Sequence, residues 1–193
     1  MGLGNPGMEY EASRHNVGFR AVEALADRAG ATLRHRRCRS HFARAVIHGE
    51  EVLLVRPLTF MNDSGSAVSR WQQATGLKPA RIIVIHDDLD LPTSQLRIRT
   101  GGSHGGHRGV RSIQEALGGG DFIRVKVGIG RPRPGHDPVD HVLGPFEKAE
   151  QGEIETAVER AADAVELLLR EGVQTAMNRY NVRASRRQDP ADQ

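Results

Sequence analysis

The run Ile82-Ile83-Val84-Ile85 constrains this chain more than any other stretch. Four consecutive β-branched apolar residues leave no polar face for water. The segment from Arg81 to Ile85 therefore reads as a strand covered on both faces, the central strand of an α/β sheet. Helical segments on either side supply the cover. The spacing of Val17, Phe19, Val22 and Leu25 predicts a helix from about Asn16 to Ala29, closed by Gly30. Asn62, Asp63 and Ser64 are N-cap residue types ahead of a helix through Ala67, Val68 and Trp71, which Gly76 and Pro79 stop. Val110 to Leu117 reads as a short helix. Ile154, Ala157, Val158, Ala161, Val165 and Leu168 place the longest helix over 147–171, with a shorter one following to about Tyr180. Further strands are expected over Phe42–Ile47 and Val52–Val55, joined by the turn His48-Gly49-Glu50, and over Leu96–Thr100 and Ile123–Val127. The three prolines of Arg131–Pro138 predict an irregular loop. One domain spans 1–182, and the polar residues 183–193 read as a disordered tail.

A chain of 193 residues with 38% hydrophobic and 26% charged residues can bury a real core. No run approaches the ~18 apolar residues of a membrane helix, and the N-terminus lacks the basic-then-apolar pattern of an export signal. The single cysteine, Cys38, excludes an internal disulfide, so a cytoplasmic protein is expected. Residues 147–171 hold eight acids against three bases, a net of −5, so the remainder carries +8. Such a split predicts a basic face for a polyanion. Aromatic residues make up only 4%, so RNA would be held by phosphate and shape more than by stacked bases.

Candidate chemistry gathers at loop and strand ends. Gly2-Leu3-Gly4-Asn5-Pro6-Gly7 can continue neither a strand nor a helix, and it presents Asn5. His15 stands at a loop–helix junction, and an imidazole of pKa ~6.5 suits proton transfer near neutrality. The polar run His86-Asp87-Asp88-Leu89-Asp90 ends the central strand, where α/β sheets place sites. A carboxylate such as Asp87 accepting from one ring nitrogen of His15 would leave the other to take a proton from water. Asn5 and Asn62 offer donor and acceptor to a peptide unit, and their donors can support an oxyanion. No G-x-S-x-G elbow is present and Cys38 has no obvious partner, which favours an activated water. His86, Asp87, His104 and His107 are metal-ligand types without a metal-site spacing, so no metal or cofactor is expected. Both His104 and His107 also read as ordinary residues of the loop Gly101–Gly109. Arg97 and Arg99 share one strand face, as do Arg124 and Lys126, with Leu96, Ile98, Val125 and Val127 opposite. Paired, these strands would form a phosphate clamp or a plain solvated face.

Five motifs in order resemble the bacterial-type peptidyl-tRNA hydrolase family. They are Gly2–Gly7 with Tyr10 and Arg14-His15-Asn16-Val17-Gly18; Thr59-Phe60-Met61-Asn62-Asp63-Ser64-Gly65; His86–Pro92; Gly105-Gly106-His107; and Gly128-Ile129-Gly130-Arg131-Pro132. The resemblance runs from residue 1 to about 181. It implies a single-domain three-layer α/β/α fold with a twisted mixed sheet, a monomer without metal. It implies hydrolysis of the ester joining a peptide to the tRNA 3′ ribose, with His15 as general base and Asp87 orienting it. Asn5, Tyr10, Phe60, Asn62 and Arg108 then fall in the substrate site, and Arg99 and Lys126 in a clamp for the tRNA 5′-phosphate. Two departures stand out. Arg108 replaces an asparagine that the family usually has after its second loop histidine. Only Met1 precedes Gly2, where the family has an apolar first strand: either the start is assigned late or the strand is truncated, and truncation would weaken the sheet and loosen Asn5. Two rival readings remain: a paralogue that binds RNA without efficient hydrolysis, and a hydrolase of another small ester.

Overall fold

The computed structural model describes residues 1–181, and the expected tail from 183 lies outside them. After short 3-10 turns at Met8–Tyr10 and Arg14–Asn16, helix α1 spans Val17–Arg28. Strands β1 (His35–Arg37), β2 (Ser40–Ile47) and β3 (Glu50–Pro57) follow. Then come α2 (Ser64–Thr75), β4 (Ile83–Asp88), β5 (Leu96–Thr100), α3 (Arg108–Leu117), β6 (Ile123–Gly128), α4 (Pro138–Leu143) and α5 (Lys148–Tyr180). The expected separation of the last helix into two is present as a break: Gly172 has φ 83° and ψ 172° inside α5, a conformation that glycine adopts readily. Strand β1 and helix α4 were not expected. The first consists of basic residue types and is exposed, and the second begins at a proline within the run that reads as loop.

The single mixed sheet expected from the resemblance is divided. One antiparallel sheet has the order β1-β2-β3, and one mixed sheet has the order β4-β6-β5. Residues 1–3 join them: Gly2 N–H donates to Val55 O at 3.0 Å, Ile85 N–H to Met1 O at 2.9 Å, and Leu3 N–H to Ile85 O at 2.9 Å. Through this bridge β4 is an inner strand, as its apolar run requires. Val84 and Ile85, on opposite faces, are both buried. Ile85 packs in the cluster of Leu25 from α1 and Val165 from α5, and Val84 in that of Val68 from α2 and Ile113 from α3. Two helices therefore cover each face, giving the three layers.

Beyond Met1 the gap between β3 and β4 opens as a cavity of about 430 Å³ lined by Leu54, Trp71, Ile83 and Leu168 among others. The terminal ammonium is buried there, donating to Ile83 O at 2.8 Å, and burial pushes its pKa from 8.0 down to about 5. Asn5 is not loosened: its backbone and its side chain are both hydrogen-bonded.

Helix α1 reaches the sheet through Gly18. A Cβ there would stand 2.5 Å from Leu3 O and nearer still to Ile85 O. Both are backbone atoms that cannot swing aside, so Gly18→Ala should cost about 1–3 kcal/mol or more. Denaturant titration checks this, and an unchanged midpoint would mean that helix and strand do not meet so closely.

Candidate active site

The site forms where the N-terminal glycine loop, the start of α1 and the end of β4 meet. Strand β4 does not stop with its apolar run. His86 and Asp87 continue it in register with Lys126 and Val127 of β6, and this carries the Asp87 carboxylate into the interior, 1% exposed. A buried carboxylate needs donors in place of water. Two histidines supply them. Nδ1 of His15 lies 2.8 Å from both Asp87 oxygens, and Nε2 of His107 lies 2.9 Å from Oδ1. His107 is the N-cap of α3: its Nδ1 accepts from the N–H groups of Gly109 and Val110 at 3.1 and 3.2 Å. These bonds assign its proton to Nε2, facing Asp87. By the same logic His15 donates from Nδ1, and its Nε2 keeps a free lone pair with no protein partner among the described residues.

The electrostatics follow from this geometry. Burial alone would raise the Asp87 pKa, but the two imidazoles, by charge and by hydrogen bonding, hold it well below the usual carboxylate range. For His15, burial disfavours the cation, the charge and hydrogen bond of Asp87 favour it, and the Arg108 charge opposes it. The net shift is upward from 6.5. His86, fully buried, bonds the Asp87 carbonyl oxygen through Nδ1 at 2.6 Å and lies edge-on to His107, with ring centroids 4.5 Å apart. Burial lowers its pKa well below the ordinary value, keeping it neutral.

Asn5 is held on three sides. Its N–H donates to Asn16 Oδ1 at 2.7 Å, its carbonyl accepts from Asn16 Nδ2 at 3.1 Å, and its Oδ1 accepts from Met61 N–H at 2.8 Å. The last bond fixes the amide orientation and leaves Nδ2 as the free donor. Asn62 is exposed, in the turn Met61–Asp63, and is not the cap of α2 that its residue type permits; α2 begins at Ser64 after Asp63. Tyr10 and Phe60 meet edge to face at 6.2 Å, with Phe60 55% exposed, and form an apolar rim. Arg108 is the exposed first residue of α3, where a cation opposes the helix dipole.

The cationic strands pair as expected, with Arg97 opposite Lys126 and Arg99 opposite Arg124, and the four apolar residues behind them are buried. The grid itself is smaller than the alternation implies. Arg124 is 2% exposed and donates to the carbonyls of Ser103 and Gly102 at 2.7 and 3.0 Å, supporting the glycine-rich loop. Lys126 is ion-paired with Asp88 at 2.5 Å, while Arg99 is open to solvent.

Sequence reasoning treats His107 as a loop residue and does not single out Asn16. The first could have been found from its place directly before a helix, where an acceptor is wanted; nothing in sequence distinguishes Asn16. His15, Asp87 and His107 bring ligand-type atoms within 4.8 Å of one another. Within this trio His15 Nδ1 and His107 Nε2 face Asp87 and His107 Nδ1 caps α3, so His15 Nε2 is the one ring nitrogen left without a hydrogen-bond partner among the described residues.

The family model for peptidyl-tRNA hydrolase matches residues 1–189. A peptidyl-tRNA hydrolase of Chloroflexus aurantiacus is 50% identical over 182 residues, 94% of this chain and 97% of the relative. One of Frankia alni is 46% identical over 181 residues, 94% of this chain and 92% of the relative. The crystal structure of peptidyl-tRNA hydrolase from Acinetobacter baumannii superposes with a TM-score of 0.88 at 40% identity, covering 94% of this chain and 92% of that one. The chain belongs to the peptidyl-tRNA hydrolase family.

Proposed function

We propose that His15 is the general base, and Asp87 its positioning partner, in the reaction of this family: hydrolysis of the ester that joins peptide to tRNA. The observation that carries the assignment is the buried pair itself, Nδ1 of His15 at 2.8 Å from Asp87, which leaves Nε2 as the only basic nitrogen of that ring. Nε2 takes a proton from water as the water oxygen bonds to the ester carbonyl carbon. The negative charge that develops on the carbonyl oxygen is met by an amide donor, Asn5 Nδ2 or the side chain of Asn62. The carbon–oxygen bond to the ribose then breaks, and the proton held by His15 passes to the departing ribose oxygen. The products are free tRNA and a peptide carboxylic acid, which loses its proton to solvent.

Asn5, Asn62, Tyr10 and Phe60 grip the peptide, Arg108 lies at the tRNA end of the ester, and Arg99 with Lys126 clamps the 5′-phosphate. In this reading one copy of the chain suffices, without a metal, in the cytoplasm; among the described residues no helix is long and apolar enough to cross a membrane. The non-catalytic rival is not favoured: the relatives are named as hydrolases, and the buried contact of His15 with Asp87 supports the catalytic reading. The test is release of peptide by the purified protein from peptidyl-tRNA and from the same tRNA carrying an unblocked amino acid. Release from the first alone supports the reading; release from neither rejects it.

Arg108 has its own test. Its charge opposes protonation of His15, so Arg108→Asn should raise the His15 pKa further. The acid limb of the rate profile then moves to higher pH, and turnover below neutrality falls. A limb that stays in place would show that Arg108 does not act on the base.

A further inference from the structure

A second cationic surface stands beside the site, apart from the clamp. Arg34, His35, Arg36, Arg37 and Arg39 fall within six residues on the β1–β2 hairpin, and all five are exposed. Among the described residues Arg34, Arg36 and Arg37 form no ion pair. Arg36, His41 and Arg56 are register neighbours across β1, β2 and β3, and Arg36 Nε donates to His41 Nε2 at 2.9 Å. Burial and then these two flanking arginines lower the His41 pKa, a sign of local positive field. Only Arg56 among the three has an acid partner, Glu23 at 3.0 Å.

The hairpin is also anchored. Its tip, Cys38-Arg39, is left-handed at both residues, with φ 50° and 54°, although neither is glycine. Leu58 N–H donates to Arg39 O at 2.8 Å, and the Arg39 guanidinium binds Ser66 Oγ at 2.9 Å and Asp63 at 2.8 Å. Asp63 directly follows Asn62. The surface is therefore held at a fixed place next to the peptide-gripping amides. A strand of three basic residues that buries none of them contributes little to the core, and its like charges repel.

We propose that the Arg34–Arg39 hairpin docks the phosphodiester backbone of the substrate's tRNA, as a contact additional to the 5′-phosphate clamp. This rests on the reading of the site as acting on peptidyl-tRNA. Guanidinium groups match phosphate geometry, and contacts of this kind fix orientation without reading sequence. The RNA is common to every substrate, whereas peptide side chains vary, so a permanent cluster of arginines suits the RNA better than an acidic peptide. On this hairpin the His35 ring is already tilted against Phe42, with centroids 5.5 Å apart.

The test is the triple substitution Arg34→Gln, Arg36→Gln, Arg37→Gln. Two readouts are used: peptide release at several salt concentrations, and equilibrium binding of deacylated tRNA. The three side chains are exposed, so an unchanged melting curve should accompany the change. For peptidyl-tRNA, kcat/KM at moderate salt should fall about 10-fold or more, and the salt slope should become shallower by ~0.7–0.9 for each phosphate no longer neutralised. Deacylated tRNA should bind correspondingly less tightly. The same peptide esterified to a trinucleotide should be cleaved at the unaltered rate. An unchanged salt slope for both tRNA readouts overturns the proposal. So does a loss confined to substrates with acidic peptides, which would assign the hairpin to the peptide. Binding of deacylated tRNA reads the hairpin even if the unaltered protein cleaves neither ester, and that second result would instead reject the assigned reaction.

Discussion

His15→Ala should lower kcat for peptide release by roughly 10²–10⁴-fold, the usual loss when a positioned general base is removed. KM should change much less, because the proposed grip on the peptide lies with Asn5 and Asn62 and the grip on RNA with arginines elsewhere. The substitution also leaves Asp87 buried with one histidine donor instead of two, at a cost of about 1–3 kcal/mol. A melting curve separates that effect from the chemistry. A folded variant that binds tRNA normally yet turns over at the original rate would remove His15 from the mechanism.

Asp87→Asn keeps the shape of the side chain and removes its charge. The carboxylate accepts from both His15 and His107. A carboxamide has one acceptor oxygen, and its NH2 would face a ring nitrogen that already carries hydrogen. The oxygen can stay opposite His107, which its cap on α3 holds in place, so the NH2 stands at the Oδ2 position, which His15 Nδ1 alone faces. The change of tautomer falls on His15, whose proton moves to Nε2, the atom that should be the base. A loss of about 10⁴-fold accompanies this kind of tautomer error in the serine-protease triad, and a comparable loss is expected here. The pH profile gives a second reading with a definite sign. The carboxylate is what raises the His15 pKa, so without it the acid limb should move to lower pH while the plateau falls. General damage to the fold would lower the plateau without moving the limb.

Much of the architecture was legible because local pattern and burial agreed. The apolar run Ile82–Ile85 had to be an inner strand, and the structure makes it one through a bridge of only three residues. The turn at His48-Gly49 was visible as glycine punctuation, and the end of the apolar helical spacing near Glu171 marked the helix break. What stayed hidden depended on long-range partners. Strand β4 runs on through His86 and Asp87 because two histidines from distant segments satisfy the buried carboxylate, and no local signal announces such donors. Alternation put Arg124 on an open cationic face beside Lys126, but the glycine loop folds back over it and offers two carbonyls. Strand β1 is held by its pairing to β2 and buries none of its own side chains, which leaves its basic sequence without any periodic trace. At the site, chemistry named His15, Asp87 and Asn5 from sequence; His107 was legible at most as a residue ahead of a helix, and the part that Asn16 plays shows only in the bonds it makes.

The central claim is that the imidazole of His15, charged or neutral according to its contact with Asp87, decides whether water can be activated. The most direct measurement follows the His15 ring by NMR across pH and sets its midpoint beside that of kcat/KM for peptide release, which reports groups of the free enzyme. The two midpoints should coincide above 6.5, and both should fall together in Asp87→Asn. A kcat/KM that stays level while the ring becomes protonated would contradict the account.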